Sequence, residues 1–119
     1  MTLPEHSLQR HGLLDLYGVD AAAARDEALI RRALYAAAEA AEATVLAEHF
    51  HTFGGEGGIT GMLLLAESHI SIHTWPEHGH AAVDIFVCGR LRLEAAHRAL
   101  CQHLPAARQH WRIIARGQH

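Results

Sequence analysis

Between Glu67 and Cys88 the chain gathers side chains that can move protons, attack carbonyls or bind metals: the tripeptide Glu67-Ser68-His69, then His73, Glu77, His78, His80, Asp84 and Cys88. Imidazole and thiolate are good ligands for zinc and copper, so His69, His73, His78 and His80 with Cys88 invite a metal reading, the more so because the 119 residues include 12 histidines. Their spacing opposes it. On a strand His69 and His73 share a face across Ser71, but there is no C-x-x-C, no H-E-x-x-H and no second cluster to complete a tetrahedral site, and no metal site is expected. Taken singly, each residue has an ordinary reading: Ser68 as a turn residue between short strands, His73 as a hydrogen-bonded strand histidine, Cys88 as a small buried hydrophobe. Thr60 reads as a strand residue, Phe53 as core, and Glu56 and Glu77 as solvated carboxylates.

The elements that must position these residues are short. Residues 12–17 predict a strand ended by Gly18, with Asp20 placed to cap a helix. From Ala21 to Ala41 the residues are strong helix formers, and Ile30, Leu34, Ala37 and Ala41 share one face that should pack on a sheet. Residues 44–53 predict a strand running into the glycine-rich loop around Glu56. Strands follow at 59–67, 70–75 and 81–88, separated by the pair Ser68-His69 and by the turn-like 76–80. The spacing of Leu93, Ala96, Leu100 and Leu104 predicts a second helix over 91–104 that Pro105 stops, and 109–115 predicts a last strand. The order βαββββαβ points to an α+β two-layer sandwich, a mainly antiparallel sheet with two helices on one face.

Composition sets the bounds. A chain of 119 residues that is 50% hydrophobic fits a single domain, 1–119, and a domain this small encloses a deep cavity poorly, so a site shared between subunits is reasonable. A formal charge of -3 with scattered arginines gives no nucleic acid surface. No apolar run spans a bilayer, and Pro4, Glu5 and His6 stand where a signal peptide needs apolar residues, so a cytoplasmic protein with no membrane partner is expected. Cys88 and Cys101 are then expected as thiols, Cys101 in the core of the second helix. His6, His11, His49, His51, His97, His103, His110 and His119 have no assigned role.

The stretch Ala66-Glu-Ser-His-Ile-Ser-Ile-His-Thr-Trp-Pro-Glu77, followed by Ala81-Ala-Val-Asp-Ile-Phe-Val-Cys-Gly89, resembles the signature of the bacterial and archaeal S-adenosylmethionine decarboxylase proenzymes. Weaker likeness extends through His11 to Gly18, the alanine-rich helix and Phe50-His-Thr-Phe53. The match is long, and Ser68, His73, Glu77, Asp84 and Cys88 agree with it independently.

The resemblance implies that Ser68 attacks the Glu67 carbonyl and that the chain cuts itself into residues 1–67 and 68–119, the second capped by a pyruvoyl cofactor made from Ser68. That group forms a Schiff base with the substrate and accepts the electrons released with carbon dioxide. The same resemblance makes His73 the base for processing, with Thr60 standing where the family usually has a serine. It makes Cys88 the general acid, a role that suits a thiol of ordinary pKa about 8.5. Phe53 would stack on adenine and Glu77 bind the ribose hydroxyls. The product would feed spermidine synthesis, and the sites would be shared in a homodimer or higher oligomer. The sequence departs from the family pattern at Val19, at Val87 and in the loop carrying Glu56. A carboxylate there could pair with a cationic substrate, which keeps pyruvoyl-dependent arginine or ornithine decarboxylation as the alternative. A His-rich metal binder and an inactive regulatory relative rank behind both.

Overall fold

The computed structural model describes residues 8–117. Met1 to Ser7, with the leader reading at Pro4, Glu5 and His6, and Gln118 and His119 lie outside them. The elements are β1 (Gln9–Tyr17), a single helical turn α1 (Ala21–Ala24), α2 (Glu27–Ala41), β2 (Val45–Thr52), β3 (Ile59–Leu65), β4 (Ser68–Trp75), a 3₁₀ turn (Pro76–His78), β5 (His80–Cys88), α3 (Leu93–His103) and β6 (Arg108–Arg116). The strands form one six-stranded sheet ordered β2-β3-β4-β5-β1-β6, antiparallel at every step. The expected sandwich is therefore the observed one.

Period-2 burial decides what each strand presents. Leu14 and Leu16, Ile59, Leu63 and Leu65, Ile70 and Ile72, and Ala81, Val83, Ile85 and Val87 point to one face and are buried. On them lie Ile30, Leu34, Ala37 and Ala41 of α2 and Leu93, Ala96 and Leu100 of α3, all at 0% exposure, so the stripes read from helical spacing are the packing stripes. Cys101 is half-buried against this core rather than inside it. Among the described residues the opposite face carries no helix. It presents His11, Asp15, Thr60, Met62, His69, Ser71, His73, Asp84 and Cys88, and this open face is where the chemistry-bearing residues collect.

Several element ends shift by one to three residues, as β1 does by starting at Gln9, and two differences change the local structure. The first helix is broken at Arg25-Asp26: Asp26 leaves helical geometry (φ -92, ψ 98) and its side chain accepts from the Leu29 amide, capping α2, as Asp20 caps α1 through the Ala23 amide. A short carboxylate beside its own backbone competes well with helix continuation. The turn expected at Ser68-His69 sits one step earlier, at Ala66-Glu67, because Leu65 pairs with Ser68 and both Ser68 and His69 belong to β4. Edge strand β2 is fastened to α2 by Arg31 with Glu48 (2.9 Å), Tyr35 Oη donating to Glu48 (2.6 Å) and Thr52 donating to Glu27 (2.6 Å). Among the described residues no helix is long and apolar enough to cross a membrane.

Candidate active site

The β3–β4 hairpin concentrates unfavourable features on one peptide bond. Glu67 has φ 59, in the left-handed region, where a residue with a Cβ is disfavoured by about 1 kcal/mol or more. On the other side of the same bond Ser68 is 6% exposed, and its Oγ has no hydrogen-bond partner among the described residues. A buried unpaired hydroxyl costs about 1–3 kcal/mol. Val45 and Val87 frame this end of the sheet, and Cys88, at the end of β5 opposite Gln9, lies two residues past Phe86, the partner of His69. Ser68 and Cys88 therefore sit at the same end.

Thr60 and His73 sit at the other end. They are directly paired across β3 and β4, with Thr60 Oγ1 and His73 Nδ1 hydrogen-bonded at 3.1 Å. In the tautomer whose Nδ1 donates to Thr60, Nε2 keeps its lone pair and faces the open side, as a proton acceptor must. His73 and Ser71 line two neighbouring open cavities. One, of about 420 Å³, is completed by His49, His51, Thr60 and Met62; the other, of about 300 Å³, by Asp15, Asp84 and Arg112. A row of rings walls this end. Arg108 lies 4.5 Å over Tyr17, Tyr17 stacks on His80 at 5.2 Å, His80 on Trp75 at 5.1 Å, and Trp75 tilts against His73 at 6.1 Å. His80 is also held by Asp15 at 3.0 Å.

What the structure does not bring together is equally definite. Ser68 and His73 are five residues apart on one strand, about 16 Å at the usual rise, and their side chains point to opposite faces. One copy of the chain cannot join them. Phe53, just past β2, is 51% exposed, which removes it from the core, and His51 meets it edge-on at 4.6 Å. Glu56 is exposed on the loop that Phe53 N–H closes onto the Gly58 carbonyl at 2.9 Å. Glu77 is exposed in the 3₁₀ turn that follows Trp75.

Sequence reasoning gave His11 no role, yet it meets Asp84 across 73 positions of chain. His11 Nε2 and His69 Nε2 approach the same Asp84 oxygen at 2.7 and 2.9 Å, and Ser71 Oγ donates to the other. Burial pushes the Asp84 carboxyl up, but the hydrogen bonds from Ser71, His69 and His11 outweigh it and hold the group below its ordinary value of 3.8. His11, His69 and Asp84 offer metal-ligand atoms within 4.8 Å of one another. Arg116 Nη1 lies 3.3 Å from His11 Nδ1, however, and a guanidinium only donates, so His11 carries its proton on Nε2 and directs it at Asp84. A ligating imidazole needs the reverse, so the trio works as a hydrogen-bonded cluster. The four histidines weighed for a metal reading are not gathered: His69 is at one end of β4, and His73, His78 and His80 are toward the other.

The family model for S-adenosylmethionine decarboxylase matches residues 10–117. A relative from Parasynechococcus marenigrum (strain WH8102), named S-adenosylmethionine decarboxylase proenzyme, is 54% identical over 80 residues, 67% of this chain and 62% of its own length. One of the same name from Aquifex aeolicus (strain VF5) is 51% identical over 83 residues, 70% of this chain and 61% of its own length. The matched segment thus spans about three fifths of those relatives. The crystal structure of adenosylmethionine decarboxylase from Aquifex aeolicus VF5 superimposes with a TM-score of 0.82 at 40% identity, covering 95% of this chain and 93% of that one. Likeness of this extent, over both the hairpin and the open face, makes the chain a member of the S-adenosylmethionine decarboxylase family.

Proposed function

We propose that the chain is a proenzyme that cuts itself between Glu67 and Ser68 and then decarboxylates S-adenosylmethionine, making the aminopropyl donor for spermidine synthesis. The observation that carries this reading is the left-handed Glu67 beside the buried, unpaired Ser68 hydroxyl. Ser68 Oγ adds to the Glu67 carbonyl carbon and the Ser68 nitrogen leaves, exchanging the amide for an ester. Removal of the Ser68 α-proton then expels the Glu67 carboxylate, and water replaces the residue's nitrogen, released as ammonia. Residues 1–67 end in an ordinary carboxylate, and residues 68–119 begin with a pyruvoyl group. That group supplies a carbonyl that takes the substrate's amine and receives the electron pair left by carbon dioxide.

The chain's own residues do the rest. His73, oriented by Thr60, takes the α-proton during processing; Cys88 returns a proton to the substrate carbon; Phe53 stacks on the adenine and Glu77 accepts from the ribose hydroxyls. Because Ser68 and His73 cannot meet within one copy, each site draws His73 and Thr60 from a second. Met62, Leu64, Trp75 and Ile114, each about two-fifths to one-half exposed on the open face, provide apolar surface for that pairing. Two copies related by a twofold axis would lay the Thr60–His73 end of one over the Ser68–Cys88 end of the other.

Intact mass spectrometry tests the cut: wild type should give two chains summing to the precursor plus water less ammonia, and Ser68→Ala one uncut chain. An uncut wild type would sink the reading. Carbon dioxide release from S-adenosylmethionine, arginine and ornithine then tests the substrate, with activity only on an amino acid refuting it. Co-purified Ser68→Ala and His73→Ala subunits should recover one working site per mixed pair; no recovery would refute the shared site.

A further inference from the structure

Asp84 and its partners belong to neither the cut nor the substrate contacts above, yet they join four strands. Arg116 of β6 faces His11 of β1, His11 donates to Asp84 of β5, and Asp84 accepts from His69 of β4. His69 also lies nearly parallel to Phe86, with ring centres 5.8 Å apart, and His11 meets the same ring edge-on at 5.4 Å. His69 is thus held on two sides.

It is also the residue after Ser68. In the uncut chain the Ala66-Glu67 turn fastens this end of β4 to β3. Once that turn is opened, residue 68 is a chain terminus, and the start of a strand frays unless something ties it down. The Leu65–Ser68 pair is the last rung of its ladder, so the nearest side-chain tie is His69 on Asp84.

We propose that Asp84, acting through His69, is a positioning residue that keeps residue 68 in register after the cut, so that its new carbonyl stays aimed at the substrate. The inference rests on the self-cutting reading above. Since the tie matters once the turn is open, its loss should reach turnover and leave cutting and substrate affinity nearly untouched. A misplacement of about 1 Å at a reacting group lowers rate by up to about a hundredfold.

His69→Phe keeps a ring against Phe86 and removes the hydrogen bond; Asp84→Asn keeps the shape and removes the charge. Both should cut to completion by intact mass, hold KM for S-adenosylmethionine within about threefold, and lose about ten- to a hundredfold in kcat. Amide exchange in the cut protein should quicken at residues 69–71 and stay unchanged through α2. If Asp84→Asn does not fold, His69→Phe carries the test. Unchanged kcat, or turnover lost only in step with cutting and with general loosening of the sheet, would overturn the proposal while leaving self-cutting intact. An uncut wild type would remove both, and mass alone reads that outcome.

Discussion

Replacing Glu67 with glycine should slow the cutting of the chain by about fivefold. The φ of 59 disfavours any side chain bearing a Cβ, and glycine adopts it freely, so the substitution lowers the uncut ground state by about 1 kcal/mol. If that strain is gone once Ser68 Oγ bonds to the Glu67 carbonyl carbon, the barrier rises by the same amount, and about 1 kcal/mol is a factor of about five in rate. Folding stability should hardly change. The relief in the folded chain is offset by about 0.4–1 kcal/mol of extra freedom that glycine brings to the unfolded one. Glu67→Ala is the matched control, since it removes the carboxylate and retains the backbone cost. In cell-free synthesis with timed quenching, the uncut fraction by intact mass should decay about five times more slowly for glycine than for alanine. Equal rates, or faster cutting with glycine, would show that the strained backbone does not drive the reaction.

Thr60→Val should slow processing by about two- to tenfold, the worth of one hydrogen bond to His73 at 3.1 Å, whereas Thr60→Ser should restore it; a valine variant cutting at the wild-type rate would remove Thr60 from the mechanism. Asp84, whose folded-state pKa lies below 3.8, contributes stability that is complete above that value and lost as pH falls through the folded one. In an uncut Ser68→Ala background, the gap in urea midpoint between Asp84 and Asp84→Asn proteins should therefore be widest near neutral pH and close in acid below about pH 4. A gap that widens in acid would contradict the assignment.

How far the sequence could be read follows from what set each feature. The stripe Ile30, Leu34, Ala37 and Ala41 and the alternation in β5 were legible because burial alone dictates them. The β3–β4 turn was misplaced because Ala66-Glu67 carries no glycine or asparagine, while Ser68 and His69 look like turn residues; only pairing across the sheet puts a left-handed glutamate there. The helix break at Asp26 did leave a signal, an aspartate just before strong helix formers, hidden by the alanines ahead of it. For the site, the resemblance supplied roles that spacing could not. It left unseen that Ser68 and His73 lie apart on one strand. His11 and Arg116 reach Asp84 and each other across the sheet through strand order, which no local pattern encodes.

The strand order has a consequence for what a cut chain is. The first piece would own β1, β2 and β3, and the second β4, β5 and β6, yet the sheet alternates them, with β1 clasped between β5 and β6. The two products would be interleaved along three seams, at β3 with β4, β5 with β1, and β1 with β6. Neither half could then drift off or be exchanged for a fresh one without the sheet coming apart along those seams. Self-cutting as proposed would accordingly be a finishing step on a completed fold, with the ladder afterwards doing the work of the missing bond.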